Sequence, residues 1–240
     1  MCPYGCGTVF QLDPPSQPGG SWTKQTLYSL HPVLAYPAAL LLGANGGIYG
    51  AAEANPVSPG CPAGNCGLFY GLTPPAQPGG TWTVNNIGAL TNKLGQSPNT
   101  PLVQDAHRVL YDSAPSGGIT GNQCGDSGCG TAISLSPPVF PSTEWTVKEI
   151  HRFQGGNDGF HPSAGMVIAP DGTLYGTTYY GGGLCQVSPF EGCGIVFRSP
   201  LRYRLLPRGQ RPLCTSSKVQ PTAGIRAHPK VRISPLEQAE

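Results

Sequence analysis

The sequence predicts an all-β chain: a partial β-propeller of about three four-stranded antiparallel blades, followed by a non-native or disordered C-terminal tail. Three observations predict it. The same markers return at steps of about 60 residues, and a period of that length is the mark of stacked supersecondary units. The 35 glycines and 27 prolines gather between short apolar runs, where turns between strands belong. Each unit offers four antiparallel strand candidates, which at this spacing match a propeller blade better than a β-helix or a sandwich; charged residues are only 11% of the chain, against roughly 25% in an ordinary soluble domain.

The register rests on three kinds of marker. Cys-Gly opens each unit, at Cys6-Gly7, Cys66-Gly67, Cys129-Gly130 and Cys193-Gly194. Trp-Thr follows at Trp22, Trp82 and Trp145, and a tyrosine after an apolar residue closes the series at Tyr49, Tyr111 and Tyr175. These six aromatics are the expected structural anchors. The repeat region is 1–200, with units at about 6–65, 66–128 and 129–192 and the start of a fourth at 193–198.

Each unit offers four strands. The first follows Cys-Gly (Thr8–Leu12, Leu68–Leu72, Thr131–Leu135) and ends at a double proline, which cannot continue a central strand. The second opens at Trp; in unit one Thr26, Tyr28 and Leu30 alternate with Gln25, Leu27 and Ser29, an imperfect period of two that suggests cover on both faces. The third and fourth form a hairpin. Its turn is Asn45-Gly46-Gly47 in unit one and Pro170-Asp171-Gly172 in unit three, whereas unit two has the poorer turn chemistry of Gln104-Asp105-Ala106-His107 and Asp112 where glycine is expected. The order leaves open whether the first strand of a unit is the outer edge of the preceding blade or the inner strand of its own.

Eight of the nine cysteines form short-range pairs, Cys2/Cys6, Cys61/Cys66, Cys124/Cys129 and Cys185/Cys193. Disulfides in an oxidising compartment fit this spacing. Free thiols and zinc are the competing readings, zinc being the poorer because it wants four ligands together and the pairs lie a unit apart. Cys214 has no assigned role.

The charge is asymmetric. Residues 1–200 carry six Lys+Arg against ten Asp+Glu, and residues 201–240 carry eight against two. The body has no nucleic-acid footprint, and no apolar run reaches the length of a membrane span. The basic tail reads as disordered, as a nucleic-acid or membrane arm, or as a frame-shifted fourth unit. The third reading is preferred: Arg208 to Lys218, back-translated and read from each codon's third base, permits a Trp about 63 residues after Trp145 followed by a series like that of the other units. The gene sequence decides it. Met1 falls inside what should be an inter-unit loop, and no secretory signal is visible, so the expectation is a piece of a longer protein with unpaired strand edges.

No catalytic set emerges. Gly125-Asp126-Ser127-Gly128 looks like the nucleophile segment of trypsin-like proteases, but Ser127 would need a His base and an Asp orienter, and His107 after Asp105-Ala106 is a faint echo of one. Asn157, Asp158 and Asp171 offer oxygen ligands to Ca²⁺, with turn capping the plainer reading. His151 and His161 read as packing or surface residues. Trp22, Trp82 and Trp145 could stack on a carbohydrate, although their fixed place at a strand start favours anchoring, and Tyr179-Tyr180 with Gly181–Gly183 form a loop that could face a ligand.

The unit resembles the GloVer-type tandem repeat of bacterial proteins predicted to be extracellular. The resemblance rests on Gly130-Thr131, Trp145-Thr146, Phe153-Gln154-Gly155-Gly156, Asp158-Gly159, Ala164-Gly165, Gly172–Thr178 and Gly181–Gly183. It covers residues 1–198, closely in unit three and loosely in the other two; unit one lacks the Gly-Gly-x-Asp-Gly segment and unit two departs in its hairpin. It implies architecture and an extracellular or cell-surface location, and no chemistry. The functional expectation is a secreted or cell-surface scaffold or binding module, non-enzymatic, without cofactor or metal, whose partner is a carbohydrate or a protein at the cell surface. The alternatives are a propeller-type glycan hydrolase or lyase, and a non-functional truncated product.

Overall fold

The computed structural model describes residues 6–31, 34–54, 61, 66–182, 186–187 and 190–199. Among them the chain is all-β, with helix confined to short 3-10 turns such as Asn122–Cys124 and Gly156–Asp158. No helix of the described residues is long and apolar enough to cross a membrane. The tail at 201–240, with Cys214, lies outside the described residues.

The strands form successive antiparallel sheets. β1 (Thr8–Asp13) pairs with β2 (Thr23–Ser29) in a two-stranded ribbon. β3 (Ala35–Leu42), β4 (Ile48–Ala54), β5 (Leu68–Thr73) and β6 (Thr83–Ala89) make a four-stranded meander. β7 (Val103–Gln104), β8 (Leu110–Ala114), β9 (Thr131–Ser136) and β10 (Thr146–Arg152) make a second one in the same order. Next come β11 (Val167–Ile168) and β12 (Leu174–Thr177), a small hairpin of β13 (Gln186–Val187) and β14 (Phe190–Glu191), and β15 (Val196–Ser199), which joins β12 to close a three-stranded sheet.

The sheets are out of phase with the sequence repeat. The strand after each Cys-Gly pairs backwards, onto the last strand of the preceding unit: β5 on β4, β9 on β8, β15 on β12. The Trp-led strand, β6 or β10, is the sheet's edge. Each four-stranded sheet is therefore the hairpin of one unit plus the first two strands of the next. This differs from both orders that the sequence offers: β5 and β9 are neither a blade's outer edge nor its inner strand, because each is paired on both sides, by the preceding unit's last strand and by its own unit's Trp-led strand.

Backbone geometry explains the markers. Gly7, Gly67, Gly130 and Gly194 all have positive φ, at 101°, 78°, 88° and 85°, a conformation glycine adopts at little cost. Their Cys-Gly turn swings the chain into the sheet, and the carbonyls of Gly7, Gly67 and Gly130 accept the amides of Leu30, Leu90 and Phe153 at 2.9, 3.1 and 3.1 Å. The imperfect alternation of the Trp-led strands is a β-bulge. Pairing skips Leu27, Ile87 and Ile150 in turn, so one extra residue shifts the faces beyond it.

The unit-two hairpin is as well made as the others. In units one and three the turns close through Gly43 N to Gly47 O and Ala169 N to Thr173 O, both 2.8 Å, with Asn45 and Asp171 accepting the amides of Gly47 and Thr173 at 3.2 and 2.9 Å. Unit two makes the same closure from Asp105 N to Val109 O at 3.0 Å. There Asp105 Oδ1 accepts the amides of His107 and Val109 at 2.8 and 2.9 Å, and Arg108 takes positive φ at 65°. A carboxylate two residues earlier does the work of Asn45 or Asp171.

Sheets stack face to face, and the central ones are buried on both sides. On β5, Leu68, Tyr70 and Leu72 join Val9 and Leu30 of the first ribbon and its flank, while Phe69 joins Leu110, Ile133 and Leu135 of the next sheet. On the second meander, Tyr111 and Ala132 turn the other way, to Met166, Leu174 and Phe197. Alternate residues of one strand thus feed two cores, and full burial of each large apolar side chain contributes about 1.5–3 kcal/mol. At the first ribbon one face lacks such cover: Phe10, Leu12 and Trp22 are 48%, 51% and 62% exposed, where the matching Tyr70 and Leu72 are 0% and 1% exposed.

Candidate functional site

Trp22, Trp82 and Trp145 each stand just before the first residue of their strand, whose opening threonine pairs with Asp13, Thr73 and Ser136 respectively. The register is shared, but the surroundings are graded. Trp22 is exposed, Trp82 packs half-buried on the core beneath β5, and Trp145 reaches across to the preceding sheet. There its ring meets Tyr49 of β4 edge-to-face, with centroids 5.8 Å apart and planes at 66°. Tyr111, a second anchor, is buried and donates its hydroxyl to Asp105 Oδ2 at 2.9 Å, tying β8 to its own turn; Tyr175 is half-buried on β12.

A groove of about 500 Å³ opens between the two meanders beside the Tyr49–Trp145 pair. The β3–β4 turn contributes Asn45, the β5–β6 ladder Thr73 and Asn85, and the approach to β10 Thr143. Gly71 makes the space. It pairs with both Tyr49 and Asn85, and a Cβ on it would stand 3.5 Å from Tyr49 Cε1 and 3.5 Å from Ile87 Cγ2, ordinary contacts that point into the groove. Two rungs along the ladder the gap closes, because a Cβ on Gly88 would meet Val147 Cγ2 of β10 at 2.5 Å.

The polar walls are pre-positioned. Asn45 Oδ1 accepts the Gly47 amide at 3.2 Å, and Asn85 Nδ2 donates to Thr73 Oγ1 at 3.4 Å, so each amide is held by one end and presents the other. Among the described residues, none that lines the groove is a carboxylate, histidine, cysteine, lysine or arginine. The groove offers amide and hydroxyl hydrogen bonds on one side and aromatic carbon on the other.

The remaining candidates lie apart. Ser127 is exposed in the loop after Cys124, and its carbonyl accepts the Gly117 amide at 2.6 Å; no hydrogen bond among the described residues joins its hydroxyl to a histidine, and His107 sits in the β7–β8 turn. Asp158 accepts the Gln154 amide at 2.9 Å and faces His151 Nε2 at 3.1 Å, and Asp171 caps the β11–β12 turn. The Thr173 amide and hydroxyl hold the Asp171 carboxyl below its ordinary range. No cluster of three or more His, Cys, Asp or Glu with metal-holding geometry exists among the described residues. His161, its pKa lowered by burial, lies near Tyr179 and Tyr180, and Tyr180 stacks on Phe160 with centroids 4.9 Å apart.

Cys61–Cys66 and Cys124–Cys129 are disulfides with Cα–Cα distances of 5.8 and 4.5 Å. The pairings expected for Cys2 with Cys6 and Cys185 with Cys193 each involve a residue outside the described ones. Two disulfides at equivalent places point to an oxidising environment.

Trp145 and Tyr49 stand out in the sequence, and Asn45 is legible as a turn residue; Gly71, Asn85 and Thr143 do not stand out. Their signal is visible only when units are superposed. Gly71 replaces Gln11 and Ser134 of the other units, Asn85 replaces Gln25 and Lys148, and Thr143 replaces Gly20 and Gly80. No protein-family model matches the chain, and no curated protein matches its sequence.

Proposed function

We propose that the chain is a secreted or cell-surface repeat scaffold whose inter-sheet groove binds a ligand, built as a propeller-like array of GloVer-type units. The architecture reading is supported by the succession of stacked meanders, with a two-stranded ribbon at one end and a three-stranded sheet at the other. The two disulfides support the location. The groove beside Tyr49 and Trp145 carries the functional reading: a concave, pre-positioned set of neutral donors and acceptors against aromatic rings suits recognition. Binding is its role, with no proton-transfer or nucleophilic step.

The test is tryptophan fluorescence of the whole chain titrated with defined saccharides, peptides and nucleotides. A saturable change with one of these classes, lost in Gly71→Val, is the expected result. No saturable change with any of the three overturns the binding reading.

A further inference from the structure

We infer that the groove takes an uncharged saccharide, an inference that rests on the binding reading above. Three features of the groove select this chemistry. A sugar ring carries hydroxyls around its rim and C–H bonds across its faces. The rim suits Asn45, Thr73, Asn85 and Thr143, each able to donate or accept. The C–H face suits the indole of Trp145, whose ring face carries partial negative charge.

The absence of charge among the lining residues decides between ligand classes. A phosphorylated, sulfated or uronic ligand would lose part of its hydration without gaining a cation, and an unpaired charge is costly to desolvate. A peptide adding to a sheet edge would find one in β6, whose Val84, Asn85, Asn86 and Ile87 line the groove, and the peptide panel below separates that outcome from a sugar. A volume of about 500 Å³ sits within the roughly 300–1,000 Å³ of small-ligand sites and leaves a longer chain to run out along the open side.

Gly71 sets access. Its missing side chain is the space in which a sugar ring would lie, between Tyr49 and Asn85. The equivalent positions in β1 and β9 carry Gln11 and Ser134, so the glycine that opens this groove is not repeated in those two strands.

The experiment titrates the whole chain with neutral gluco-, xylo- and manno-oligosaccharides, with oligogalacturonate and heparin-type oligosaccharides, and with a peptide and nucleotide panel, by calorimetry and tryptophan fluorescence. The expected result is saturable binding of a neutral oligosaccharide with weaker or no binding of the charged ones. Gly71→Val, placed where a Cβ makes only ordinary contacts, should keep the wild-type Tm and lose at least tenfold in affinity. Trp145→Ala should lose at least tenfold, Asn85→Ala several-fold, and Trp22→Ser nothing. Stronger binding of the charged oligosaccharides overturns the inference, as does neutral-sugar binding indifferent to both Gly71→Val and Trp145→Ala. Binding of peptides or nucleotides in place of sugars overturns it while leaving the binding function standing, and silence across all panels overturns both.

Discussion

Gly50 lies directly across the β4–β5 ladder from Tyr70, and the tyrosine ring fills the space that a side chain at 50 would need: a Cβ there would stand 2.5 Å from Tyr70 Cζ and 2.6 Å from its hydroxyl oxygen. The three-stranded sheet repeats the relation, with Gly176 opposite Phe197. In the second meander the opposing residue is Ile133, and there Asp112 stands in the glycine's place. The residue after each anchor tyrosine is therefore coupled to one about 20 positions later, small where its partner is aromatic.

Gly50→Ala should destabilise the fold by about 1–3 kcal/mol through overpacking, read as a lower urea midpoint. Combining it with Tyr70→Val should recover part of that loss. Simple additivity of the two changes would falsify the coupling.

Tyr70 also carries a buried hydroxyl that finds no hydrogen-bond partner among the described residues, and burial pushes its pKa to about 12. Tyr70→Phe removes the unsatisfied group and keeps the ring. It should leave Tm unchanged or raise it, by up to about 1 kcal/mol in stability; a clear loss would mean the hydroxyl is bonded.

Asp112 gives a pH signature. It is fully buried, held by the Thr100 hydroxyl and the Ser113 amide, with Oδ2 unpartnered among the described residues, and burial raises its pKa from 3.8 to about 7. Between those values the unfolded chain has released the proton that the folded chain keeps, so stability falls as pH rises. The loss is complete once pH passes the folded value, and amounts to on the order of 4 kcal/mol. Asp112→Asn should flatten the Tm profile from pH 4 to 7 and be the more stable protein at pH 8. Parallel profiles for the two proteins would contradict the assignment.

Cys124–Cys129 closes a loop of six residues, both cysteines included, worth about 2 kcal/mol in unfolded-chain entropy. Cys124→Ser with Cys129→Ser should lower the unfolding free energy by about that amount, read as a lower denaturation midpoint. Intact mass under alkylation, with and without reductant, checks the pairing directly. A midpoint unmoved by reduction would show the bridge to be energetically idle.

The tryptophans should differ in weight despite their common register. Trp22→Ser, at a 62% exposed side chain, should shift stability by less than about 0.5 kcal/mol. Trp82→Ser, at a side chain packed on Leu72 and its neighbours, should cost about 1–3 kcal/mol. Chemical denaturation of the two variants side by side reads the difference.

Much of this was legible in the sequence because it is local. Cys-Gly marks where a unit begins, the double prolines end strands, and Trp-Thr opens a strand, each a property of two or three adjacent residues. What escaped was relational. The bulges at Leu27, Ile87 and Ile150 break the alternation that would assign faces. The unit-two turn looks poor because its acceptor, Asp105, sits two places early. The groove depends on Gly71 facing Tyr49 and Asn85, residues 22 and 14 positions away, and no linear pattern announces a space.

The phase shift between repeat and sheet has a consequence for how such a chain can grow or break. The junctions at Cys66-Gly67 and Cys129-Gly130 lie inside a meander, so a cut at either would leave both products with half of it, and an isolated two-stranded hairpin is marginal in water. Tandem duplication of one unit behaves differently: wherever its breakpoints fall, it supplies the rear half of one meander and the front half of the next, and the new sheet arrives already sewn to its neighbours on both sides. An array of this kind lengthens by whole layers and resists shedding them.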